Sequence, residues 1–479
     1  MTDMASTTAP IVLASNRGPV SFTAEDDGTL TPRRGGGGLV SGLSAIGTGQ
    51  RSIWVCAALS DADRTAARQG LTEPDVRMLD IDAGTFARAY NGIANSTLWF
   101  VHHLLYDTPT KPVFGAQFRR EWASYEAYNH SFAEALAACA EPGAAVLVQD
   151  YHLSLTPRLL RELRPDVRIA HFSHTPWAPP DYYRLLPDDV APQVLAGILG
   201  ADHAGFLTER WARAFADCCR EVLGATVSED LVVTYAGRAT RLGVHGLGAD
   251  AEFLRERAHR SDVDSRLAAL REAVGDRRTI VRVDRTELSK NIVRGLQAYQ
   301  HLLRTRSEWL DRVVHIAFAY PSRHDLPEYR EYTAAVLRTA QEINDEFGTP
   351  SWQPVILHVN DDFPRSLAAY RLADVALVNP IRDGMNLVAK EVPVVSDAGV
   401  ALVLSREAGA HAELGEDALT VNPYDVIQTA EALHAALTMP EDERSGRSKR
   451  LAEASTALPP TAWFMQQLDA LTGAQPAQE

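Results

Sequence analysis

Cysteine is scarce in this chain. The four that occur in 479 residues (Cys56, Cys139, Cys218, Cys219) have neither metal nor redox spacing, and a chain of this length needs no disulfide scaffold. There is no basic-then-apolar leader and no apolar run long enough to span a bilayer, so the expectation is a cytoplasmic protein with no membrane partner. Positive charge is also in deficit. Lys and Arg number 47 against 62 Asp and Glu, a formal charge of −15, which argues against general affinity for nucleic acid. An anionic ligand would need a local basic pocket. The chain lacks an H-E-x-x-H pair, a G-x-S-x-G elbow, a Walker A lysine and the G-x-G-x-x-G fingerprint, which removes the commonest zinc protease, serine hydrolase, P-loop and dinucleotide readings. His102–His103, His171–His174 and Asp150–His152 could ligate a metal, but none has a zinc-site spacing. Neither a metal nor a cofactor is therefore expected. No internal repeat is evident.

What is present is a globular composition, 46% apolar and 23% charged, long enough for two or three domains. Short valine-rich runs alternate with helical patterns. IVLASN (11–16) reads as a strand with Arg17 just past its end, and RGGGGLVSGL (34–43) as a glycine-rich loop whose amides can point together at a ligand. SIWVCAAL (52–59) places Trp54 near a strand's middle, and Tyr90 and Trp99 flank the segment ending WFVHH. The apolar run of GAAVLVQDYHL ends at Asp150, and RIAHFSHTPW puts His174 just past another strand. In open α/β sheets ligands bind off the carboxyl ends of strands, where these residues fall. Residues 238–250, with three glycines, read as a linker. The alternation then resumes, and TIVRVDR, VVHIAFAYPSR, DVALVNP and ALVLS read as further strands. The pattern predicts α/β architecture with parallel sheets, divided as 1–243, 244–458 and a last helical segment, 459–479, that crosses back to the first domain.

The most informative stretch is NPIRDGMNLVAKE (379–391). It follows a buried strand, turns sharply at Asp383–Gly384 and becomes helical from Leu387. The first amides of a helix lack internal partners and carry partial positive charge, so they hold anions such as phosphate. Asp383 can accept sugar hydroxyls and Glu391, one turn on, a ribose diol. Arg285 and Lys290, on one strand-end loop, suit a diphosphate, one as a fork and one as a point charge. Asn291 opens the next helix, where it could cap it.

Together SNRGPV, RGGGGL, LVQDYHL, HFSHTPW, VDRTELSKN, YPSR and RDGMNLVAKE resemble the retaining glycosyltransferases of the trehalose-6-phosphate synthase family, family 20, and in particular its actinobacterial members. The match runs from Ile11 to about Leu471. The resemblance implies a GT-B fold, two Rossmann-like domains facing an interdomain cleft, the first binding acceptor and the second nucleotide sugar. It implies transfer of glucose from a nucleoside diphosphate glucose, GDP- or UDP-linked, to glucose 6-phosphate without a metal, by front-face attack. Arg17, Tyr90, Trp99 and Arg323, with Trp54, resemble the acceptor contacts, and Asp150 the carboxylate that binds the acceptor sugar. Gly37 or Gly38 resembles the loop amides near the donor phosphates. His174 resembles the residue that holds the donor hexose, and Arg285 and Lys290 the diphosphate clamp. Asp383, Gly384, Met385 and Asn386 would surround the hexose, Leu387 and Val388 amides would meet phosphate, and Glu391 the ribose. The commoner family loop is D-R-x-D-Y-[ST]-K-G, and DRTELSKN departs from it at Glu287, Leu288 and Asn291. That leaves two relatives as alternatives: a pseudoglycosyltransferase of the validoxylamine-phosphate-synthase type, or a glucosylglycerol-phosphate synthase. Donor base, degree of cleft closure and homo-oligomer formation are left open.

Overall fold

The valine-rich runs become the inner strands of two sheets. The computed structural model describes residues 8–34, 51–323 and 325–472. They fall into two compact units, Met1–Leu247 with Pro460–Glu479, and Gly248–Pro459.

Among the described residues the first unit is built on a nine-stranded sheet. Its order is Val76–Leu79, Ser52–Ala57, Ala9–Ser15, Ala140–Gln149, Arg168–Ser173, His203–Phe206, Arg238–Val244, Val232–Tyr235 and Thr226–Val227. The first seven run parallel and the last two close an antiparallel edge. Parallel strands are covered on both faces, which is why Val12, Ala14, Val146, Leu147 and Val148 are all fully buried. Strand order reverses between Ala9–Ser15 and Ala140–Gln149, so the chain leaves these neighbours in opposite directions and a crevice opens at their carboxyl ends.

Two elements differ from the sequence reading. Residues 238–244 are a strand, paired in parallel with His203–Phe206, so the unit boundary falls at Leu247–Gly248 and the linker is short. Its burial alternates, with Thr240 and Leu242 inward. Arg88–Leu98 is a π-helix, a widened form rarely seen beyond a single turn and frequent at functional sites. Its side chains follow the wider pitch, with the Thr97 hydroxyl donating to the Gly92 carbonyl at 3.0 Å. A Cβ on Gly92 would sit 2.5 Å from the Glu121 carboxyl carbon, so a larger residue there would displace the Glu121 side chain of the helix Ala116–Cys139. The last helix, Pro460–Thr472, belongs to the first unit. Trp463 and Phe464 are buried there, with Trp463 edge-on to Phe172 at 5.0 Å.

The second unit is a six-stranded, all-parallel sheet in the order Val355–His358, Val313–Tyr320, Arg278–Arg285, Val375–Val378, Ala401–Ser405, Leu419–Val421. Counted by sequence this is 3-2-1-4-5-6, the Rossmann order, and it reverses between Arg278–Arg285 and Val375–Val378. No helix among the described residues is long and apolar enough to cross a membrane.

Candidate active site

In the first unit the reversal point brings together the ends of Ala9–Ser15 and Ala140–Gln149. Arg17 follows the first strand, exposed, and among the described residues its guanidinium has no side-chain partner. Asp150 follows the second with φ 73° and ψ 170°, a conformation that costs a non-glycine residue about 1–3 kcal/mol and persists where the surroundings impose it. Its own amide donates to Phe172 O at 2.7 Å, and its Oδ1 accepts the His174 amide at 3.2 Å. Asp150 is thus fixed at the crevice by one bond from its own amide and one to its carboxylate, both made with the segment 172–174. His174 Nε2 lies 3.0 Å from Gln149 Oε1. Burial, and then the His171 ring, push its pKa down to about 3, so the ring is neutral at ordinary pH.

An aromatic ladder stands beside Asp150. Phe86 stacks on Tyr90 at 5.2 Å, and Tyr90 on His152 at 5.5 Å. Trp99 stacks on His103 at 3.8 Å and tilts against Tyr151 at 5.7 Å. The π-helix carries Tyr90 into this row and delivers Trp99 at its end. Trp54 is 6% exposed and its indole N–H donates to Ser15 Oγ at 2.7 Å, so it supports the strand end. Gly37 and Gly38 lie outside the described residues.

In the second unit the reversal point joins the turn after Arg285 to the loop at 379–386. The Ile381 amide donates to Ser289 O at 2.8 Å. Lys290 Nζ bonds Asp383 Oδ2 at 2.5 Å, and Asn386 Nδ2 donates to the same oxygen at 3.1 Å. Burial would lower the lysine pKa, but Asp383 and then Glu287 more than reverse this, and it is raised. Asn386 sits at φ 74° and its Oδ1 accepts the Ala389 amide. It therefore caps the helix Leu387–Val395 from a left-handed conformation. The remaining amides of the tip, Leu387 and Val388, have no place in the helix ladder and are left for an anion. Close backbone packing holds this loop: a Cβ on Gly409 would fall 1.8 Å from Gly384 O, and the Ala410 amide donates to Met385 O at 2.8 Å. The Met385 side chain is buried. Glu391 accepts weakly from the Tyr370 hydroxyl at 3.4 Å, and burial raises its pKa to about 7.

Glu287, a residue that the sequence left without a role, is fully buried between two cations. Its Oε1 lies 3.2 Å from Arg285 and 3.8 Å from Arg323 and accepts from Ser322 Oγ at 3.0 Å. Burial alone would raise its pKa; Arg285, Arg323 and Lys290 overcome that and hold it at about 2. The carboxylate thus aligns both guanidiniums. Its signal was available: a carboxylate two places after Arg285, in a turn that buries. Asn291 does not cap the next helix. It occupies the left-handed region at φ 59° with no side-chain cap bond, and its amide donates to Asn379 O at 3.0 Å and Pro423 O at 2.7 Å. Asparagine is the residue after glycine that best tolerates this conformation, so the departure at 291 keeps the backbone shape.

Two reversal-point crevices, one lined by a strained carboxylate and aromatic rings and the other by cations at a helix tip, define a GT-B α/β glycosyltransferase. The model of the family described as Glycosyltransferase family 20 matches residues 10–472, and the chain belongs to that family. It is 35% identical to a trehalose-6-phosphate synthase of Mycobacterium avium, over 97% of this chain and 96% of that one. It is 32% identical to a bifunctional trehalose-6-phosphate synthase/phosphatase of Thermoproteus tenax, of which it spans 64%. In structure it resembles a UDP-forming trehalose-phosphate synthase of Burkholderia xenovorans, with TM-score 0.84, 28% identity, and 97% and 99% of the two chains covered.

Proposed function

We propose that this glycosyltransferase moves glucose from a nucleoside diphosphate glucose to glucose 6-phosphate and makes α,α-trehalose 6-phosphate with retention. The observation that carries the reading is the joined turn of the second unit, where Lys290, Asp383 and the Asn386-capped helix tip meet. A hexose offers hydroxyls to Asp383, the diphosphate takes Lys290, Arg285 and the Leu387 and Val388 amides, and the ribose diol binds Glu391. As the anomeric bond breaks, negative charge grows on the leaving diphosphate and the sugar becomes oxocarbenium-like. Fixed cations and amides stabilise that charge without reorganising. No carboxylate is assigned as a nucleophile. The acceptor hydroxyl attacks from the face that the diphosphate leaves and passes its proton to a departing phosphate oxygen. Arg17 and Arg323 bind the acceptor phosphate, Tyr90 and Trp99 its ring face, and Asp150 its hydroxyls. His174 holds the donor hexose.

UDP-glucose is the donor we assign first, because the Burkholderia relative is described as UDP-forming. The bonds of Asn291 to Asn379 O and Pro423 O give its change a structural account, which supports the glucose reading over the cyclitol one. A matrix of UDP-, GDP- and ADP-glucose against glucose 6-phosphate and glycerol 3-phosphate tests the reading. The expected product carries two small anomeric couplings by proton NMR, and its rate is unchanged after EDTA treatment. Turnover confined to glycerol 3-phosphate, or none with any donor, overturns it.

A further inference from the structure

The strand Ala140–Gln149 ends in a buried glutamine, and the helix Pro460–Thr472 buries another, Gln467. Buried amides must be satisfied, and here the satisfaction has one direction. Gln467 Nε2 lies 3.3 Å from Trp463 O, and a backbone carbonyl only accepts. That turns Gln467 Oε1 towards Gln149, whose Nε2 donates to it at 3.3 Å. Gln149 Oε1 is then left facing His174 Nε2 at 3.0 Å, and two acceptors cannot bond. The proton of that contact therefore sits on His174 Nε2. The ring is neutral, as derived above, so it has no second proton and Nδ1 keeps its lone pair. Among the described residues Nδ1 has no hydrogen-bond partner. The ring is also held by contact, 4.8 Å from Phe172 and 5.4 Å from Trp463.

We propose that the C-terminal helix, through Gln467 and Gln149 as positioning residues, fixes His174 as the Nε2–H tautomer and so presents Nδ1 as a hydrogen-bond acceptor for a hydroxyl of the transferred sugar. The assignment of that hydroxyl rests on the proposed function; the tautomer does not. A sugar hydroxyl can donate or accept, so the tautomer decides which way its proton points and hence what its oxygen offers to the next group. With the other tautomer the ring would donate to the hydroxyl and turn that proton away. The pairing is not legible from residue order, because Gln149 and Gln467 lie 318 positions apart.

The test is nitrogen-15 NMR of the full chain with labelled histidine, one of 15 histidine signals being assigned to His174 by its loss in His174→Asn. The Nε2–H pattern is expected at neutral pH. In Gln467→Leu the Gln149 amide is free to reverse. The pattern then moves towards Nδ1–H, and kcat falls about tenfold while the acceptor KM is held. Met465→Ala, on the exposed side of the same helix, leaves both unchanged. An Nδ1–H or doubly protonated His174 in the unaltered protein overturns the proposal, as does an unchanged tautomer and kcat in Gln467→Leu. If that variant fails to fold, the tautomer of the unaltered protein decides alone. Loss of the proposed reaction would read differently: no turnover with any nucleotide sugar, beside an intact Nε2–H signature that Gln467→Leu still shifts.

Discussion

Lys290 carries the heaviest electrostatic duty of any single side chain in the proposed reaction. Removing one fixed donor of developing charge commonly slows turnover about 100- to 1000-fold, and Lys290→Ala is expected to lose kcat by that order at saturating donor. A loss seen only in KM would show that the ammonium binds the ground state and does not stabilise charge growth. Glu391 gives a pH signature. Its pKa is raised to about 7 by burial, so it loses its charge as pH falls through that value. Ribose hydroxyls donate better to the ionised form. The donor KM should therefore fall as pH rises through about 7, and Glu391→Gln should flatten that profile. Stability runs the other way: between the ordinary glutamate range and about 7 the unfolded chain releases this proton and the folded chain keeps it, so Glu391 destabilises the protein progressively as pH rises through that window. At this scale the sequence was readable where a residue type carries its own chemistry, as Arg285, Lys290 and Asp383 do. It was not readable for Trp54, whose indole is consumed by Ser15, because the partner of a side chain is fixed only when strands assemble.

Elements show where periodicity succeeds. The strands ending at Gln149, Arg285 and Val378 are legible because a doubly covered strand is uniformly apolar. The strand at Arg238–Val244 is not, since its outward arginine and its glycine disguise a genuine alternation about Thr240 and Leu242. Nor is the π-helix, whose wider pitch has no simple sequence period. Asn291 permits an energetic test of the turn between the clamp strand and its helix. Alanine there would adopt a left-handed conformation at a cost of about 1–2 kcal/mol and lose two buried bonds worth about 1 kcal/mol each. Glycine would lose the bonds without the steric term. Urea unfolding should therefore rank the native residue above Asn291→Gly, and that above Asn291→Ala. Glycine equal to or below alanine would refute the conformational account. Donor preference is expected to be the same in both variants.

At the scale of the molecule the sequence gives the α/β class and the place of the last helix, but not the order of strands within a sheet. That order is what turns a set of strand ends into two crevices, because it decides which loops are neighbours. Residues 15–17 meet 149–150, and residues 285–291 meet 379–386, only after strands far apart in sequence pair. The last helix adds Trp463, Phe464 and Leu471 to the first unit's core. Trp463→Ala is expected to remove about 3–5 kcal/mol, seen in calorimetry as a downward shift of one transition while a second, from the unit at Gly248–Pro459, stays in place. A uniform shift of both would contradict the assignment of this helix to the first unit.

The bond between Lys290 and Asp383 has a consequence for selectivity against small ions. An ammonium already matched with its own carboxylate is a poor lure for stray inorganic phosphate, which brings charge but nothing for the displaced aspartate to hold. A sugar nucleotide brings both halves of the exchange, hydroxyls for one partner and phosphate for the other. On the proposed reading the pair favours a molecule that offers a partner to each of its two ends over one that offers a partner to the ammonium alone.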